Sequence, residues 1–68
     1  MSRPYQSNLV DIAGIVIEIR EKALWLNAGT TKAWLPLSQI EIDPEDAGAG
    51  HSVTVAMPEW LAKEKGLI

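Results

Sequence analysis

Ala23 to Ile40 reads ALWLNAGTTKAWLPLSQI. Leu24, Leu26, Ala33 and Leu35 alternate with Trp25, Asn27, Lys32 and Trp34, and a period of two is the signature of strands. Gly29-Thr30 makes a two-residue loop with Gly first, as a type II′ turn requires. In that register Leu24 faces Leu35, Leu26 faces Ala33 and Trp25 faces Trp34. One side of the hairpin is aliphatic and the other carries a tryptophan pair. A three-residue loop would break this pairing.

Upstream, Leu9 to Arg20 (LVDIAGIVIEIR) is rich in β-branched residues, as strands favour. Ile15, Ile17 and Ile19 fall on one side; Val16, Glu18 and Arg20 fall on the other. Val10 and Ile12 have the opposite parity, so a bulge or bend is expected at Ala13-Gly14. A two-residue turn at Glu21-Lys22 then sets Ile19 opposite Leu24 and Ile17 opposite Leu26. The expected core face is Ile17, Ile19, Leu24, Leu26, Ala33 and Leu35, and Trp25 lies on the other face near Glu18.

Downstream, Pro36 ends the third strand because it cannot donate to a ladder. Leu37 to Ile40 fits a single 3₁₀ turn that drops Ile40, with Leu37, toward the core. Glu41 to His51 reads as a loop, with Pro44, glycines and most of the acid. Ser52 to Met57 alternates as a further strand. Pro58 to Lys65 reads as a helix, with Pro first, Glu59 in the first turn, Lys63 and Lys65 in the last, and Gly66 as a left-handed stop. Two turns of helix are not stable alone in water, so this one must dock. Residues 1 to 8 are polar and read as a flexible terminus, with Tyr5 the one residue there that could pack back. Residues 9 to 68 form one small domain.

The chain has 68 residues and no cysteine. Thiolate chemistry and cysteine-type zinc sites are therefore excluded. The start, MSRPYQSN, has no apolar run after its arginine and does not read as a secretory signal. The longest apolar stretch, Ile12 to Ile17, is far below a membrane span, so the chain is expected to be soluble and cytoplasmic. The net charge is -3. Glu41, Asp43, Glu45 and Asp46 carry much of the acid, and the remainder is near neutral. An acidic balance weakly disfavours nucleic acid as a partner.

Little here resembles catalysis. His51 is the one histidine, and Ser2, Ser7, Ser38 and Ser52 have no nucleophile-elbow setting. Asp43, Glu45, Asp46 and His51 could gather a metal, but they miss the EF-hand pattern and read as a solvated loop. Gly48-Ala49-Gly50 lacks the lysine and following helix of a phosphate loop. No catalytic residue, metal or cofactor is expected.

The three tryptophans remain. On one reading they fill a core, with Trp60 on the helix covering Trp25 and Trp34. On the other, at least one ring is exposed, as a stacking platform for single-stranded bases or as an anchor for a protein partner. Arg20, Lys22 and Lys32 lie near the pair and complete the candidate binding set.

Two longer motifs stand out. They are Trp34-Leu35-Pro36-Leu37-Ser38-Gln39-Ile40 and Pro58-Glu59-Trp60-Leu61-Ala62-Lys63-Glu64-Lys65-Gly66-Leu67. Together they resemble a family of short, uncharacterised phage and prophage proteins with W-[IL]-P-x-S-Q-I and a C-terminal P-E-W-L-A-x-x-K-G-L. The likeness spans about Ile15 to Ile68. Leu37 stands where that family usually has lysine, and the loop Asp43 to Gly50 is longer than usual. The resemblance implies a role around phage DNA metabolism, or the binding of a host machine, including defence systems.

The expected fold is mostly β. It is a small bent antiparallel sheet or partly open barrel, SH3-like or OB-like, of four to five strands with a short C-terminal helix. The expected function is non-enzymatic protein binding of phage type, as accessory or inhibitor of a replication, recombination or host-defence (CRISPR-type) complex. The alternative is a single-stranded nucleic-acid-binding module. A homodimer through a sheet edge or the helix is a further possibility.

Overall fold

The computed structural model describes residues 9–68. The expected flexible terminus, residues 1–8, lies outside the described residues. Five strands follow in order: β1 (Leu9–Ile19), β2 (Ala23–Asn27), β3 (Lys32–Pro36), β4 (Glu41–Asp43) and β5 (Ser52–Pro58). A 3₁₀ turn, Leu37–Gln39, links β3 to β4, and one helix, α1 (Glu59–Glu64), follows β5. The strands form an antiparallel sheet in the order β3-β2-β1-β5-β4. It is an open sheet: β3 and β4 are its two edges.

The β2–β3 hairpin has the expected register, with Leu24 opposite Leu35, Trp25 opposite Trp34 and Leu26 opposite Ala33. Gly29 takes φ 99° at the first loop position, and the Ala28 N–H donates to the Thr31 carbonyl at 2.8 Å. The Asn27 side chain adds a cap by accepting from the Gly29 N–H at 2.9 Å. The β1–β2 turn also matches, with the Arg20 N–H donating to the Ala23 carbonyl at 2.7 Å across Glu21-Lys22.

The first strand differs from the expectation. Its pairing with β5 runs unbroken from Leu9–Pro58 to Ile15–Ser52, with no bulge at Ala13-Gly14. The irregularity lies against β2, between Val16 and Glu18. Val16 pairs with Leu26 and Glu18 with Trp25, so Ile17 is the extra residue. Even-numbered residues therefore face inward throughout the first part of β1. Ile12 and Val16 are buried, whereas Ile15 is 42% and Ile19 41% exposed. Ile17 is half-buried. The expected core positions Ile17 and Ile19 are replaced by Ile12 and Val16.

Gly14 belongs to this inward series, where a side chain would not fit. A Cβ there would sit 2.7 Å from the Asn27 carbonyl oxygen and 3.0 Å from the Leu26 side chain. The glycine marks a close approach to β2 rather than a change of parity.

Two further boundaries shift. The segment expected as loop from Glu41 opens with β4, in which Ile42 pairs with Val55 and joins the rim of the core. Within the remaining loop, Ala47 is buried. The loop end is tied to β1 by two backbone bonds at Val16, to Gly50 and His51. Pro58 is extended (φ -61°, ψ 144°) and closes β5, so α1 starts one residue later than expected and ends at Glu64.

The helix stop is as expected. Gly66 has φ 74°. The Leu67 N–H donates to the Ala62 carbonyl at 2.8 Å and the Gly66 N–H to the Lys63 carbonyl at 3.1 Å. This pair of bonds is the Schellman motif, and it returns Leu67 to the core rim.

The core is the inner face of the sheet plus Ala47, Leu61 and Ala62. Leu24, Leu26, Leu35, Val55 and Met57 have no exposed surface. The helix packs on β5 and β1 and is too short to cover β2 and β3 as well. The burial of Leu24, Leu26 and Leu35 therefore requires the sheet to curl over its own inner face. A curled sheet needs a strand common to both halves, and long, bulged β1 is that strand.

Candidate functional site

The alternation that buries Leu24, Leu26, Ala33 and Leu35 places Trp25 and Trp34 on the outer face. Their rings stack, with centroids 5.2 Å apart and planes 14° from parallel. Trp34 is 38% exposed and Trp25 is half-buried. The ladder explains the closeness. The bond from Ala28 to Thr31 marks a hydrogen-bonded pair, and such pairs alternate along an antiparallel ladder. Trp25 and Trp34 thus form a non-hydrogen-bonded pair, the kind that brings side chains closest. The bond from the Leu37 N–H to the Lys22 carbonyl, 3.0 Å, keeps the same phase at the far end.

Arg20 completes the aromatic group. Its guanidinium carbon lies 5.5 Å from the Trp34 ring centroid, within the range of a cation–π contact. Its Nε is paired with the Glu18 carboxylate. Glu18 lies opposite Trp25, so the cross-strand neighbour of one tryptophan holds the cation that sits over the other. A shallow concavity beside Trp34 is lined by Arg20, Glu21, Lys22 and Ala23. Lys22 and Lys32 are exposed; Lys32 lies opposite Asn27, on the Trp34 side of β3.

The structure thus brings Trp25, Trp34 and Arg20 together, with Lys22 and Lys32 at the margins. Trp60 is elsewhere. It is 52% exposed, and its helix docks on β5 and β1 through Leu61 and Ala62. The expectation that Trp60 covers Trp25 and Trp34 is not met: the pair is covered by its own stacking and by Arg20. Glu18, the carboxylate that holds Arg20, was not among the candidate binding residues. Its place opposite Trp25 is the signal that could have found it.

A second outer-face feature is acidic. Asp11 and Glu41 flank Ala56, and Asp43 pairs with Thr54. These carboxylates and Glu45 line an open cleft with Leu37 and Ile40. In the neighbouring loop, His51 accepts a hydrogen bond from the Gly48 N–H through Nδ1 at 2.8 Å.

The chain matches no family model, no curated protein and no solved structure.

Proposed function

We propose that this chain is a non-enzymatic protein-binding module whose contact surface is the outer face of β2 and β3. The observation that carries the reading is the Trp25–Trp34 stack with Arg20 over Trp34. Tryptophan and arginine are the side chains most enriched among interface residues that dominate binding. Here they are fixed before any partner arrives, which lowers the ordering cost of association. The resemblance of the two long motifs to short phage proteins supports a narrower form of the proposal. In that form the module is an accessory or inhibitor of a replication, recombination or host-defence complex in a bacterial cytoplasm.

The test is affinity capture from bacterial lysate with the wild-type chain and Trp34→Ala side by side. A protein held by the first and lost by the second supports the proposal. Equal recovery, or none, overturns it.

The same stacked rings also favour single-stranded nucleic acid, since bases stack on aromatic faces. Two observations weigh against this alternative. Arg20 is engaged by Glu18, and Asp11, Glu41 and Asp43 place negative charge on the same side of the sheet. Tryptophan fluorescence titrated with a single-stranded oligonucleotide separates the readings. Quenching that salt reverses would favour nucleic acid.

A further inference from the structure

We infer that the partner seated at the β3 edge is a second copy of this chain, paired strand to strand across a two-fold axis at Trp34. This inference rests on the protein-binding reading of the same surface.

Strand β3 carries backbone groups that β2 does not use. Trp25/Trp34 and Asn27/Lys32 are non-hydrogen-bonded pairs of the β2–β3 ladder, and Ala23/Pro36 is a third. The N–H and C=O of Lys32 and Trp34, and the C=O of Pro36, therefore point away from β2. Among the described residues β3 is the last strand on its side of the sheet, and these groups line a free edge.

That edge is regular. The β2–β3 register runs without a shift from Ala23–Pro36 to Asn27–Lys32. Such edges are usually blunted by bulges, charged side chains, proline or extreme shortness; β3 has Lys32 and Pro36 at its two ends and none of these devices at Ala33, Trp34 and Leu35 between them. The opposite edge shows that treatment: β4 has three residues, and Glu41 and Asp43 are exposed. Two β4 edges brought together would set carboxylates against carboxylates.

The β3 edge is self-complementary. Antiparallel pairing about Trp34 sets Trp34 opposite Trp34 of the partner subunit, and each N–H meets the other's carbonyl. Lys32 falls opposite the partner subunit's Pro36, where the lysine N–H finds a carbonyl and proline's missing N–H costs one bond per side. Ala33 falls opposite the partner's Leu35, repeating the small-against-large pairing that Leu26 and Ala33 make within one chain. No like charges are opposed. The two Lys32 positions lie about 13 Å apart along the strand, beyond a Debye length of about 10 Å at 0.1 M salt. On the outer face the two tryptophan stacks join into one row of four rings. The symmetry is closed, so association stops at the dimer.

The experiment is light scattering from micromolar to millimolar chain, with amide hydrogen exchange followed by NMR on the same samples. A dimer is expected whose Trp34 amide becomes protected as concentration rises. Of the backbone groups, Lys32→Pro removes only an edge-facing N–H and leaves the β2–β3 bonds in place; Lys32→Ala controls for loss of the charged side chain. The proline variant is expected to weaken dimerisation by about tenfold or more, since two symmetric bonds are lost. The near-UV circular dichroism of the Trp25–Trp34 stack reports that the variant is folded.

A monomer at millimolar concentration overturns the inference, as does a dimer whose Trp34 amide exchanges freely. Wild-type data alone decide both points, so a misfolded variant does not rescue the idea. A monomer that still captures a lysate protein through Trp34 removes the dimer and leaves the protein-binding reading standing. A dimer that captures nothing does the reverse.

Discussion

Val16 lies directly opposite Leu26 in the β1–β2 ladder, and the two side chains are 1% and 0% exposed. Ile17, next in the chain, is the unpaired residue of the bulge. Truncating Val16 to alanine should therefore leave a cavity costing about 2 kcal/mol, whereas Ile17→Ala should cost less than about 1 kcal/mol. Urea denaturation of the two variants decides the point, and the opposite ranking would put the bulge elsewhere.

Gly14 offers a sharper test of the same strand. Its φ is unexceptional, so an alanine there meets only the Asn27 carbonyl and the Leu26 side chain. The neighbour at 2.7 Å is backbone and cannot move aside cheaply. Gly14→Ala should destabilise by about 1–3 kcal/mol, as overpacking does. No loss on denaturant unfolding would mean that β1 and β2 are further apart at this point.

The helix predicts a contrast between neighbours. Leu61 is 3% exposed and Trp60 is 52% exposed. Leu61→Ala should cost about 2–5 kcal/mol, while Trp60→Ala should stay folded with a loss within about 1 kcal/mol. Circular dichroism melts give the comparison. An unfolded Trp60→Ala would show that the ring holds the helix down.

Gly66 is held at positive φ in the Schellman motif, with nothing near the position of a Cβ. Any cost of Gly66→Ala is thus conformational, about 1–2 kcal/mol. Gly48 also has open space around it but no positive φ, so Gly48→Ala should be near neutral. Thermal melts of the pair isolate the backbone effect.

Arg20→Ala should leave the fold intact, because Arg20 is exposed and its ion pair with Glu18 is at the surface. The Trp34 ring then gains contact with water, and fluorescence should shift to longer wavelength. An unchanged spectrum would mean that the cation does not shield the ring.

The sequence made the β2–β3 hairpin legible because three signals agree there. Leucine alternates with tryptophan, Gly29 opens a two-residue loop, and Pro36 marks the end. The outer placement of the tryptophan pair follows from that alternation alone. β1 was not legible in the same way. Ile15, Val16 and Ile17 are all apolar and β-branched, so the segment fits either parity, and hydrophobic period cannot say which residue is extra. β4 was hidden because Glu41-Ile42-Asp43 is short and acidic. Its strand character comes from pairing with β5, a long-range contact. Trp60 was misplaced by size: a large ring looks like core, but the buried side of a six-residue helix has room only for Leu61 and Ala62. Arg20 was expected near the pair, but its seat over the Trp34 ring depends on the turn geometry beyond Ile19, which no spacing rule specifies.

The central strand is flanked on one side by its immediate successor and on the other by β5, the last of the five described strands in the chain. The part of β1 from Leu9 to Ile15 therefore has no partner until β5 has been made. The inner face of β1 stays wet until the C-terminal segment emerges, and folding must wait for a distant loop to close. Without the residues from Ser52 onward, β1 and β4 would lose the strand between them, and the core would lose Val53, Val55, Met57, Leu61 and Ala62, five of its twelve buried residues.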